Sequence, residues 1–213
     1  MSTTASVGVS GANVAFSKRD LFKHEVHAAI EKILHALEKY SDGKISTYDA
    51  NFKETPWRVA RAYDEIFDGL FDNGDKVKEI LSKTFPAKAD EMVTVGPIQV
   101  WSMCPHHLLP VYMKVWLAYV PKKQVLGLSK LARLAEIVAK KPALQEDTTC
   151  EIAQLLKTGL KPKGAACLIR GRHLCMEMRG VKKEAWTTTT SLNGIFKESE
   201  VRAEFLSAVR GER

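Results

Sequence analysis

Apolar residues recur at Phe22, Val26, Ile30, Ile33, Leu37 and Tyr40, with polar residues between them. Gaps of three and four predict an amphipathic helix that ends near Asp42-Gly43. A second helix is expected from Thr55-Pro56, with Thr55 as its cap and Pro56 at the first helical position. Its apolar side runs through Val59, Tyr63, Ile66 and Leu70, and Asp72-Asn73-Gly74 closes it. A short helix over 77–81 follows. The pattern then changes: residues 92–101 and 111–120 are rich in Val, Ile, Trp and Tyr and predict strands. Helices are expected over 129–140 and 145–160, broken at Pro142. Strands are expected over 165–170, 174–178 and 185–192, and a last helix over 199–209. Strands grouped around a helical pair predict an α+β fold, an antiparallel sheet packed against helices.

The 213 residues suffice for one large domain, or for a core domain with a helical extension. The organisation expected is a flexible tail over 1–18, a helical region over 19–88 and a catalytic domain over 89–213. Hydrophobic content of 45% and charged content of 27% are those of soluble globular proteins. No apolar run approaches the roughly 18–20 residues of a membrane span, and the first residues lack the basic start and apolar stretch of a secretory signal. Four cysteines, two of them beside histidines, fit a reducing compartment better than a disulfide scaffold. A cytoplasmic location is therefore expected. The net charge of +7 comes from Lys and Arg spread along the chain rather than gathered in a stripe, which argues against a nucleic-acid partner.

Two short segments carry most of the candidate chemistry, Cys104-Pro105-His106-His107 and His173-Leu174-Cys175. Cys104 and His107 stand in C-x-x-H spacing, close enough to grip one ion from a single turn. His173 and Cys175 are two apart, so on an extended strand they would share a face. Thiolate and imidazole are zinc ligands, and a catalytic zinc needs three protein ligands with a fourth position open. The surplus imidazoles point to acid–base work. Spacing alone leaves a closed, structural zinc site as the alternative. Further on, Gly127 leads into a predicted helix bearing Ser129, Lys130 and Arg133, where free N–H groups favour phosphate. Arg58 and Arg179 are further cations, each equally consistent with solvated surface charge. Gln145-Glu146 follows the break at Pro142; a carboxylate there either decorates a helix start or accepts the paired N–H donors of a guanine edge.

The chain resembles the GTP cyclohydrolase I family. The resemblance is carried by Thr55-Pro56-Trp57-Arg58-Val59-Ala60, Cys104-Pro105-His106-His107-Leu108-Leu109-Pro110 and Val125-Leu126-Gly127-Leu128-Ser129-Lys130. It continues through Gln145-Glu146, His173-Leu174-Cys175, Met178-Arg179-Gly180 and Gly194-Ile195-Phe196, all in order. It implies zinc held by Cys104, His107 and Cys175, catalytic His106 and His173, and guanine anchored by Glu146 with Gln145 beside it. It also implies Ser129, Lys130, Arg133 and Arg179 around ribose and triphosphate, with Arg58 donated by a neighbouring subunit. Arg61 stands where some members carry Lys. The implied reaction converts GTP and water to 7,8-dihydroneopterin triphosphate and formate. The implied fold is the tunnelling fold, a four-stranded antiparallel sheet with two helices between its second and third strands plus N-terminal helices. The implied assembly is a homodecamer of two pentamers. Two departures stand out: Pro105 replaces the family's usual Glu, and Met113 a frequent Gly. The competing readings are a zinc-stabilised binding protein without turnover, a nitrile reductase of the same fold, and a nucleic-acid binder. A reductase would need a nucleophilic cysteine free of metal, whereas Cys150 and Cys167 fit helix and strand packing.

Overall fold

The computed structural model describes residues 16–71 and 74–210. Most of the expected flexible tail, residues 1–15, lies outside them. The chain divides into two compact units, Met1–Phe71 and Asp72–Arg213.

In the first unit, helix α1 (Lys18–Lys39) opens on a capping box. The Asp20 N–H donates to Ser17 Oγ over 3.2 Å, and the Ser17 N–H donates back to the Asp20 carboxylate over 3.3 Å. The Ser17 hydroxyl, and Lys23 behind it, hold the Asp20 carboxyl down at about 2. A short α2 (Ala50–Lys53) leads into α3 (Thr55–Ile66). Thr55 is not the cap expected of it. Glu54 occupies that position, and the Thr55 hydroxyl donates instead to the carbonyl of Asn51, one turn back in the preceding helix. Arg19 of α1 bonds Asp64 on α3 and Asp68 just beyond it, and Ala60 is fully buried where the two helices pack. The apolar stripe of α1 is only partly used: Leu34 is buried, while Ile33 is 53% and Leu37 47% exposed.

The second unit begins with α4 (Asp75–Ser82), followed by β1 (Thr84–Pro86), β2 (Val93–Met103), β3 (Pro110–Val120) and β4 (Gln124–Leu126). Then come α5 (Leu128–Ala139), α6 (Gln145–Leu160), β5 (Gly164–His173), α7 (Leu174–Glu177), β6 (Trp186–Gly194) and α8 (Ser199–Arg210). By packing, α4 and β1 belong here and not with the N-terminal helices, since Ile80 enters this core and β1 pairs with β4. The main sheet is antiparallel in the order β2-β3-β5-β6, with α5 and α6 inserted between β3 and β5.

Alternation along the strands sends successive side chains to opposite faces. Val115, Leu117, Tyr119, Cys167 and Ile169 face α5 and α6, meeting Leu131, Leu134, Ile152 and Leu156. Trp116, Ala118 and Leu168 face the other way, under Phe196 and the α8 residues Phe205 and Val209. Each Val, Leu, Ile or Phe among them contributes about 1.5–3 kcal/mol by leaving water. This core on both faces makes the sheet a rigid frame for its exposed end. Among the described residues, no helix is long and apolar enough to cross a membrane.

Residues 174–178, expected as a strand, instead turn into α7. Leu, Met and Glu are good helix formers without β-branching. The turn is tied by a two-pronged ion pair from Arg172 to Glu177, at 3.0 and 2.7 Å. Both residues lie within the unit, five apart, a separation an extended strand could not bridge. The shared-face argument for His173 and Cys175 therefore fails: His173 ends β5, while Cys175 is set by the helical turn.

Candidate active site and metal centre

The connection from β2 to β3 is a tight loop closed on itself. Its Leu108 N–H donates to the Cys104 carbonyl and the Cys104 N–H to the Leu109 carbonyl, both over 2.9 Å, with Leu108 in the left-handed region at φ +50°. Pro105 sits exposed in this loop, and neither closing bond uses its nitrogen. Met113, the second departure, is 1% exposed and fills the core beside its strand partner Val100.

This loop lies at the same end of the sheet as the end of β5, because Val111 pairs with His173. α7 then brings Cys175 to the loop. The ligand atoms of Cys104, His107 and Cys175 all lie within 4.8 Å of one another. Cys104 Sγ is 3.7 Å from His107 Nδ1, close to the ~3.6 Å that two ligands at zinc–sulfur and zinc–nitrogen bond lengths subtend in a tetrahedron. His106 Nδ1 is 3.8 Å from the same sulfur, so one distance cannot separate the two histidines. Cys175 does, because the mutually close set contains His107 and not His106.

Burial, and then the neighbouring Cys104 thiol, push the Cys175 thiol up from its ordinary value. Two thiolates side by side repel, and a divalent cation between them reverses that penalty. The donor set, two sulfurs and one imidazole with no fourth side chain among the described residues, fits a metal with an open coordination position.

The three ligand candidates form one wall of a cavity of about 300 Å³ that His106, Glu146 and His173 also line. His173 is half-buried, and that burial lowers its imidazole pKa against the opposing pull of Glu146 and Glu177. Glu146, in the first turn of α6, is exposed. Gln145 precedes it on α6 but is 4% exposed, with its amide turned into the sheet. The Arg179 guanidinium donates to His107 Nε2 over 3.0 Å and reaches the Cys175 carbonyl at 3.5 Å.

The remaining expected contacts are not gathered here. Ser129, Lys130 and Arg133 stand on the first turns of α5, Ser129 and Arg133 exposed, and none lines the cavity. Arg58 and Arg61 are exposed on α3, in the other compact unit. Sequence reasoning missed the pair Arg172–Glu177, which shapes the Cys175 turn. Its signal was opposite charges five apart around a Cys/His motif.

The sequence profile of GTP cyclohydrolase I matches residues 26–210. A protein named GTP cyclohydrolase 1 from Clostridium perfringens is 49% identical over 148 residues, 69% of this chain and 78% of its own. One of the same name from Pelotomaculum thermopropionicum is 42% identical over 193 residues, covering 89% and 98%. A third, from Bartonella bacilliformis, is 39% identical over 205 residues, covering 94% and 95%. Among solved structures, an apo archaeosine synthase QueF-Like overlaps 50% of this chain and 97% of its own, at 15% identity and a TM-score of 0.39, too loose to bear on the fold. With the match spanning both compact units and the Cys/His loop intact within it, the chain belongs to the GTP cyclohydrolase I family.

Proposed function

We propose that the protein is a zinc-dependent GTP cyclohydrolase, converting GTP and water to 7,8-dihydroneopterin triphosphate and formate at the start of pterin biosynthesis. The observation that carries this reading is the meeting of Cys104, His107 and Cys175 on the wall of a cavity shared with His106, His173 and Glu146.

Cys104, His107 and Cys175 would hold the ion. When bound, it supplies the Lewis acidity that makes water nucleophilic near neutral pH. The Glu146 carboxylate accepts the N1–H and N2–H of guanine, which places C8 toward the Cys/His wall. His173 gives a proton to the imidazole-ring nitrogen as C8 departs as formate, and His106 relays a proton beside the ribose oxygen. Imidazole suits both tasks because it gains and loses its proton near neutrality. Ser129 assists the rearrangement of the freed ribose. Lys130, Arg133, Arg179, Arg58 and Arg61 bind the triphosphate, and that remote binding energy orients the reacting ring.

None of these five cations lines the cavity of the single chain, and Ile33 and Leu37 leave an apolar stretch of α1 uncovered. Both features support a homo-oligomer with sites at subunit boundaries, for which the decamer of tunnelling-fold subunits is the arrangement we favour. We place the enzyme in the cytoplasm, with no nucleic-acid or membrane partner. The test is incubation of metal-analysed protein with GTP, measuring formate and the fluorescence of oxidised neopterin. Zinc-loaded protein that binds GTP but releases no formate would return the chain to the binding-protein reading.

A further inference from the structure

We infer that Gln145 is a positioning residue for His173: its amide holds the imidazole with hydrogen on Nε2 and so leaves Nδ1 as the nitrogen that exchanges a proton with substrate. This deepens the proposed function and rests on it for the role of His173, but the geometry of the pair stands by itself.

Gln145 Oε1 lies 3.0 Å from His173 Nε2. At the other end of the amide, Nε2 of Gln145 lies 3.2 Å from the Ile169 carbonyl, 3.0 Å from the Thr187 carbonyl and 3.0 Å from Thr189 Oγ1. Two of these partners are carbonyls, which only accept, so this end must be the NH2 group; the flipped amide would set oxygen against oxygen. The hydroxyls agree. Thr149 Oγ1 donates to the Gln145 carbonyl over 2.6 Å, so the 2.6 Å contact between Thr149 and Thr189 has Thr189 as donor. A lone pair of Thr189 Oγ1 is then left for the Gln145 amide. Oε1 is therefore an acceptor, and His173 Nε2 must carry the hydrogen. Among the described residues, no hydrogen bond reaches His173 Nδ1.

The backbone is fitted to this arrangement. A Cβ on Gly171, two residues before His173 on β5, would stand 2.1 Å from Gln145 Oε1. Only glycine leaves the amide its path across the sheet to the imidazole. Both amide hydrogens are committed to the sheet and the side chain is buried, which separates Gln145 from its exposed neighbour Glu146. A fixed tautomer matters because a ring free to exchange its two nitrogens presents the wrong one part of the time.

The test uses full-length, metal-loaded protein. In 15N-histidine spectra of the unaltered protein, His173 should show hydrogen on Nε2, and Gln145→Met should lose that preference. In GTP turnover, Gln145→Met and Gly171→Ala should each lower kcat by about 10- to 100-fold, with KM within about threefold and metal content unchanged. Gly171→Ala should cost nothing further in a Gln145→Ala background, because the clash has no partner there. Hydrogen on Nδ1 of His173 in the unaltered protein overturns the inference, even where the variants fail to fold. So does a raised KM at unchanged kcat, which makes Gln145 a substrate contact, or unchanged kcat in a folded Gln145→Met. An unaltered protein that yields no formate sinks the proposed function alone; the spectra still decide the pair.

Discussion

The Arg179 guanidinium donates to His107 Nε2 across 3.0 Å, so in this arrangement that nitrogen carries no hydrogen. His107 presents Nδ1 toward Cys104 Sγ, 3.7 Å away. A cation taking the Nδ1 lone pair sends the ring hydrogen to Nε2, which then cannot accept from a guanidinium. With zinc on Nδ1 the guanidinium is therefore expected to sit off His107 and to be available to an anionic substrate. Arg179→Ala should leave zinc affinity equal or tighter while weakening GTP, raising KM by roughly 10-fold for the lost charge-assisted bonds. Zinc titration beside GTP kinetics checks both halves. Weaker zinc in the variant counts against this displacement.

His106 and His107 are equidistant from Cys104 within 0.1 Å (3.8 and 3.7 Å), yet only His107 joins Cys175. His107→Ala should therefore lose metal, read by elemental analysis of the purified protein. His106→Ala should keep its metal and lose turnover by about 100-fold or more, the usual contribution of a positioned proton-transfer group. A metal-free His106→Ala would mean that the two imidazoles have exchanged roles.

Glu146 is exposed on the first turn of α6, lines the cavity and makes no ion pair among the described residues. Its removal should leave fold and metal intact while costing kcat/KM about 10- to 100-fold, the worth of hydrogen bonds to a charged acceptor. Equal efficiency with GTP in Glu146→Ala would remove it from guanine recognition.

Pro105 contributes neither bond that closes its loop and stands exposed on the cavity rim beside His106. Because the loop closes without its nitrogen, Glu at this position should leave metal content unchanged and alter turnover by no more than about threefold, read as kcat for GTP. A large gain would show that the loop is held in a poorer setting by proline.

Much of the fold was legible because its periodicities are long and clean. The β2, β3 and α6 segments alternate or repeat in ways that tertiary contacts reinforce, and each was expected within about three residues of its observed bounds. The misses are short and share a cause. α7 contains four residues, too few for a period, and its turn is imposed by Arg172 reaching Glu177. Leu34 replaces Leu37 in the packed stripe of α1 because the direction a helix faces depends on its partner, here α3. The candidate ligand set Cys104, His107 and Cys175 could be listed from its chemistry, and the fold brings the three together. The task of Gln145 could not, since it depends on carbonyls at 169 and 187 that only the strand register brings together.

The register also makes one glycine of β2 a point of weakness. Pairing of β2 with β3 shifts between Val95 and Ile98, and at that irregularity Gly96 passes directly over Trp116. A Cβ there would lie 2.4 Å from Trp116 Cδ1 and 2.9 Å from the Trp116 backbone Cα. The indole is 2% exposed, wedged in the core beneath α8, and has little room to yield. Either β2 lifts from β3 or the Trp116 ring leaves its rotamer, and such overpacking costs about 1–3 kcal/mol. Gly96→Ala should lower the denaturation midpoint accordingly and shift Trp fluorescence toward that of a more solvated indole. The site lies at the other end of the strand, so folded Gly96→Ala should still bind metal through Cys104, His107 and Cys175. A variant as stable as the parent would show that β2 moves away from Trp116 at no cost, and that the register shift is slack rather than close packing.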